Sequence, residues 1–125
     1  MPRRGSNEES RHQQWMHYAE GSAMLPLMLL LYTSRLGDAA APLKPRIDSE
    51  IANHFGYVAG ELGENDYLLG RELMAADIQM SFVMEVARRF GRLNDFPNLA
   101  AYLTRLQARP AYRRALERGG PYNLA

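Results

Sequence analysis

Residues 67–90 read YLLGRELMAADIQMSFVMEVARRF, and the fold is decided here. A short apolar run, Tyr67-Leu68-Leu69, meets Gly70, and helical periodicity sets in over Leu73-Met74-Ala75-Ala76-Asp77-Ile78. From Ile78 the apolar residues recur at every fourth position as Phe82, Val86 and Phe90. Met80, Val83, Met84 and Ala87 fill most of the remaining circumference, leaving Asp77, Ser81, Glu85 and Arg88 as a narrow polar stripe. A helix that is apolar nearly all round is buried among other helices. The stretch therefore predicts the central helix, about 75–90, of an all-helical core.

The start of that helix carries a specific chemistry. With Met74 as the capping residue, Asp77 falls at the third helical position. There a carboxylate can accept a bond from the backbone N–H of the cap and complement the positive end of the helix dipole. Leu73 and Ile78 stand at the two positions that pack together as a hydrophobic staple. The other half of the capping box is missing, because methionine has no side-chain oxygen to offer the first-turn N–H groups.

Working outward, Ser6 and Glu9 form a Ser-x-x-Glu box that opens a first helix, expected to run to about Leu36 and to stop at Gly37. Pro26 lies inside it and predicts a kink, since proline removes the bond to the Ser22 carbonyl. Asp38 to Lys44 reads as a loop. Pro45 suits the first turn of a second helix, in which Ile47, Ile51, Phe55, Val58 and Leu62 fall on one face before a Gly63 cap. Beyond the central helix, Pro97 opens a fourth helix with Leu99, Tyr102, Leu103 and Leu106 inward. Pro110 starts a fifth, with Tyr112, Ala115 and Leu116 on its inner side. The expected fold class is all-α, a five-helix bundle. Residues 1–6 read as a disordered or linker tail and residues 7–125 as one helical domain.

Composition narrows the function classes. The chain has 125 residues, 46% hydrophobic and 23% charged, which suits one ordinary globular core. A net charge of +1 gives no reason to expect nucleic acid or an acidic membrane surface as partner. The apolar run Ala23–Tyr32 is far shorter than a membrane span. There is no cysteine, hence no disulfide, no thiolate nucleophile and no Cys-based metal site, which fits a reducing, cytoplasmic compartment. His12 and His17 are five apart with no third ligand in view, so no metal site is expected. The arginines at 105, 109, 113, 114 and 118 read as a solvated helix face.

The segment Tyr67-Leu68-Leu69-Gly70 followed by Leu73-Met74-Ala75-Ala76-Asp77-Ile78 resembles the signature of the C-terminal domain of cytosolic glutathione transferases of bacterial type. Phe96-Pro97-Asn98-Leu99 with Tyr102, then Arg109-Pro110-Ala111-Tyr112, is similar to the closing helices of that family. The resemblance covers roughly Glu8 to Tyr122 and departs at Met74, where the family carries Ser or Thr. It implies a helical half without the N-terminal thioredoxin-like domain, which in the family holds glutathione and activates its sulfur. The helical half would then supply the pocket for a hydrophobic electrophile and part of a homodimer interface, and would be inactive alone. Glutathione enters as co-substrate, with no tightly bound cofactor and no catalytic residue in this chain.

On that resemblance the first helix is the place to look. His17, Gly21 and Met24 share one face, with Tyr18 beside them, and would line the electrophile pocket. Glu20 or Ser22 would contact glutathione across the dimer. Each has a plainer reading: His17 as an exposed or hydrogen-bonded histidine, Glu20 as a surface charge, Met24 as core filler, Tyr18 and Trp15 as packing aromatics with a polar tip. A rival reading of the whole chain is a non-enzymatic protein-interaction module built on the same helices.

Overall fold

The structure, a computed structural model, describes residues 1–124. Helix α1 (Asn7–Tyr18) starts where the sequence predicts, with the Ser6 hydroxyl accepting from the Glu9 N–H at 3.1 Å and the Glu9 carboxylate accepting from the Gly5 N–H. It runs through a π turn, Ala19–Ala23, directly into α2 (Met24–Thr33). The irregularity expected at Pro26 thus appears as a wide turn just ahead of it. The proline ring crowds the carbonyl four residues back, and an extra residue in the preceding turn relieves that crowding.

The rod ends earlier than Leu36. Thr33 and Ser34 turn their hydroxyls back onto the carbonyls of Leu29 (2.7 Å) and Leu31 (2.6 Å), and a 3-10 stretch, Ser34–Leu43, takes over with a break at Gly37. The expected loop from Asp38 is therefore wound as well.

Helices α3 (Lys44–Leu62), α4 (Ala75–Arg89), α5 (Pro97–Gln107) and α6 (Pro110–Gly119) follow. The expected apolar face of α3 is buried throughout, from Ile47 to Leu62. Asn98 on α5 donates its amide to the carbonyls of Ala59 (2.9 Å), which also accepts the Gly63 N–H, and of Gly63 (3.2 Å), tying α5 to the end of α3.

The fold is all-helical, but the core is a bundle of four rods rather than five. These are the α1–α2 rod, α3, α4 and α5. Helix α6 forms where Pro110 predicts, yet it buries no residue: Ala115 is exposed, and Tyr112 and Leu116 are only partly covered. Its one-sided apolar face is too short to be enclosed once the other four rods have closed the core.

The central helix is central, but it is not buried nearly all round as expected. The run from Ile78 to Phe90 is not the core face, since Ile78 is 62% and Phe82 44% exposed. The buried side is Ala76, Met80, Val83, Met84 and Ala87, together with two members of the polar stripe, Asp77 and Glu85. What decides the sense is that partners exist for both carboxylates. Asp77 accepts from the N–H of Leu68 (2.9 Å), the N–H of Met74 (2.8 Å) and the hydroxyl of Tyr102 (2.8 Å). Burial first, and then the Asp77 carboxylate, push the Tyr102 hydroxyl far above the usual phenol value. Glu85 accepts from Gln107 Nε2 (3.3 Å), Tyr112 (2.5 Å) and Tyr122.

The segment before α4 is a closed turn. Tyr67 and Gly70 exchange both backbone bonds (2.9 and 3.1 Å), with Gly70 at φ 131, a conformation open only to glycine. Two of the terminal arginines hold it rather than facing solvent freely. Arg105 donates to the Asp66 carbonyl at 2.9 Å, and Arg109 donates to the Tyr67 hydroxyl at 2.8 Å while lying over its ring.

Leu73, half-buried, and Ile78 line one cavity of about 260 Å³ with Leu106 and Ala115. The N–H of Ala76, which Met74 cannot cap, donates to Nε2 of His12 at 3.3 Å. The missing cap of α4 is thus replaced from α1 by a buried histidine.

Candidate functional site

The three positions expected to share a face, His17, Gly21 and Met24, do not stay together. His17, Glu20 and Gly21 are exposed, and a Cβ added at Gly21 would meet nothing within 4 Å. Ser22 is partly covered. Met24 departs from the expected face: it is 5% exposed and belongs to the core. Its neighbour Leu25 is 56% exposed instead. The π turn accounts for this, because its extra residue rotates everything beyond it relative to a continuous α-helix.

Tyr18 turns toward α3 and is half-buried, edge-on to Trp15. Its hydroxyl lies 2.7 Å from Nδ1 of His54, whose Nε2 lies 3.3 Å from Glu50; Glu50 in turn pairs with Arg46 at 2.8 Å. An imidazole protonated on Nε2 donates to Glu50 and accepts from Tyr18, so one tautomer satisfies the whole chain. Burial, with a smaller contribution from Tyr57, raises the Tyr18 hydroxyl to about 12, so it donates at neutral pH.

Between the π turn and α2 on one side and α3 on the other lies a cleft of about 280 Å³. Gly21, Ser22, Leu25 and Leu29 form one wall; Arg46, Glu50 and His54 are on the other. Sequence reading missed His54 and His12. His54 sits on the polar side of a cleanly amphipathic helix, where a histidine needs no explanation. His12 shows its purpose only when α1 and the start of α4 meet.

An all-helical domain of this design, with a tight apolar turn ahead of a carboxylate-anchored central helix, defines the class. The chain matches the family model "Glutathione S-transferase, C-terminal domain" over residues 22–110, and it belongs to that family. It is 28% identical to glutathione S-transferase 1 of Saccharomyces cerevisiae over 121 residues, covering 83% of this chain and 52% of that protein. It is 26% identical to glutathione S-transferase 3 of Schizosaccharomyces pombe, covering 89% of this chain and again 52% of the relative. The chain thus spans about half the length of the curated relatives it matches. Among solved structures, a glutathione S-transferase from Actinobacillus pleuropneumoniae shares the fold with a TM-score of 0.82 at 24% identity, over 99% of this chain and 57% of that one. A ternary complex of BphK, a bacterial GST, gives a TM-score of 0.77 at 27% identity, over 96% of this chain and 58% of that one.

Proposed function

We propose that this domain forms the electrophile side of a glutathione transferase, whose glutathione-holding side is a separate thioredoxin-like half, as the family resemblance implies. The reaction is attack of the glutathione thiolate on a hydrophobic electrophile, a detoxifying conjugation. Glutathione is a co-substrate, not a resident cofactor. The observation that carries the reading is the family match over residues 22–110. In this division of labour His17 and Gly21 line the pocket, Tyr18 braces it through His54, and Glu20 and Ser22 approach glutathione bound on the partner protomer of a homodimer. Asp77, Leu73 and Ile78 set the geometry of the central helix rather than touching substrate. The exposed apolar side chains of Ile78 and Phe82 support the reading, since they offer the thioredoxin-like half a surface to cover. We assign the protein to the cytoplasm; no helix of the described residues is long and apolar enough to cross a membrane.

The test mixes this chain with glutathione and an aromatic halide electrophile, with and without a separately produced thioredoxin-like domain from a relative. No conjugation above background is expected from the chain alone, and conjugation is expected on reconstitution. Activity of the chain by itself would overturn the division of roles. A companion sedimentation run expects self-association, and a clean monomer at tens of micromolar, on the order of ordinary weak-interface affinities, would remove the homodimer.

A further inference from the structure

The chain has three histidines, and two of them join α1 to other rods. His17 is exposed. His12 is buried, and its Nε2 accepts from the N–H of Ala76 in the first turn of α4, at 3.3 Å. Only an unprotonated Nε2 has a lone pair to accept with, so the ring is neutral and carries its proton on Nδ1. Met74 offers no oxygen in its place. A proton added at Nε2 therefore sets one donor against another, beside the positive end of a helix dipole. The charged groups nearby do not reverse that sign. Asp77, in the same helical turn, takes its three bonds from Leu68, Met74 and Tyr102, none of them on α1. Glu9 is engaged with the Gly5 N–H. Glu8 and Arg11 on α1, and Arg71 and Glu72 ahead of α4, are exposed to solvent, where charge is screened.

His54, at the seam of α1 with α3, is built the other way. Once protonated, it donates from Nε2 to Glu50 at 3.3 Å and from Nδ1 to the Tyr18 oxygen at 2.7 Å. The Tyr18 hydroxyl then turns its proton to the His54 carbonyl, 3.4 Å away. That seam keeps its partners in either protonation state.

We propose that His12 is an acid-release latch between α1 and the start of α4. A proton on the ring uncaps α4 and loosens the α1–α4 seam, while the Tyr18–His54 contact continues to hold the end of α1 to α3. Because the closed latch needs the neutral ring, it binds one proton fewer than the open one, and falling pH drives opening. The latch works whether or not the domain meets glutathione.

Hydrogen exchange of the Ala76 amide, followed by NMR from about pH 8 to about pH 5, spans the range in which imidazoles titrate. With the intrinsic rate at each pH divided out, protection in the parent is expected to fall about fivefold on acidification, the worth of one lost N-cap. His12→Gln keeps an acceptor oxygen that takes no proton, so protection is expected to hold across the range. His54→Asn removes the other titrating ring and is expected to leave the parent's fall unchanged. No fall in the parent, or an equal fall in His12→Gln, overturns the latch. Loss of the fall in His54→Asn moves the switch to the other seam and overturns the assignment to His12. Met74→Thr keeps His12 and gives α4 a hydroxyl cap indifferent to pH, which decides the matter should His12→Gln not fold. A blunted fall there supports the latch, and a full one overturns it.

Discussion

Asp77 and Glu85 are carboxylates about two turns apart on α4, and both are shut off from solvent, at 0% and 2% exposure. They are held in opposite ways. Asp77 takes two of its three bonds from backbone N–H groups within nine residues of itself, and the third from Tyr102. Glu85 takes all three from side chains, on Gln107, Tyr112 and Tyr122, each more than twenty residues away. The first is part of the helix start and forms with it. The second is assembled only when the last quarter of the chain folds back. One carboxylate fixes a local geometry, while the other fastens a distant segment.

The comparison is broken most sharply at Asp77. Asp77→Ala strands two backbone donors and a buried hydroxyl, and the expected loss is on the order of 3–5 kcal/mol. It is read as a lower urea midpoint at unchanged slope. A loss under about 1 kcal/mol, the worth of one ordinary hydrogen bond, would mean that the donors find other partners. At Glu85 the amide variant Glu85→Gln keeps one acceptor and adds an N–H₂ facing donors, so about 1–2 kcal/mol is expected. Its effect should nearly vanish in a Tyr112→Phe, Tyr122→Phe background. Full additivity would show that the tyrosines do not depend on Glu85.

Alkali separates the two sites by sign and by depth. Tyr102 is raised by burial and by Asp77, and Tyr112 is raised to about 12, by burial first and then by Glu85. A phenol whose folded value lies above its unfolded value near 10 contributes stability that is complete below pH 10 and is lost as pH rises beyond it. Denaturant midpoints are therefore expected to fall above about pH 10. Tyr102→Phe should flatten that fall more than Tyr112→Phe, because Tyr102 is fully buried while Tyr112 is only partly covered. Equal profiles for the two variants would refute the ranking.

The smallest effect concerns the cap. His12→Ala removes the acceptor for the Ala76 N–H and should cost about 1 kcal/mol, the usual value of an N-cap. Met74→Thr supplies an acceptor from the chain itself. Because His12 already serves one N–H, its gain in the parent should be a few tenths of a kcal/mol, rising toward about 1 kcal/mol in the His12→Ala background. A thermodynamic cycle with no coupling between the two positions would show that they serve different groups.

Much of the fold was legible because it is written in short-range patterns. The α3 face, the Ser6 start, the boundaries of α4 and the openings of α5 and α6 at Pro97 and Pro110 all follow from spacing and capping. The orientation of α4 was not legible. Its circumference offers two apolar sides, and the choice between them is made by donors on α5, α6 and the chain end. The first rod failed at one point for a related reason. Periodicity assumes a constant rise and rotation, and a π turn breaks that assumption: Pro26 announces an irregularity but not the extra residue that changes the register. His12 was visible only as a histidine without a metal partner, since its partner is a backbone N–H 64 residues away.

Helix α6 buries nothing of its own, so its hold on the body runs through a few bonds to side-chain oxygens and the turn at Arg109. Cooperativity is for that reason graded along the chain. The four rods share one interior and open together, whereas the terminal helix can detach at a lower free energy and leave them standing. Amide exchange should then show two protection classes, with the boundary near Ala108. Arg113, Arg114 and Arg118, all exposed, put tryptic sites within the part that opens first. Limited digestion is accordingly a trimming reaction: it shortens the domain by one helix and ends at the edge of a surviving core.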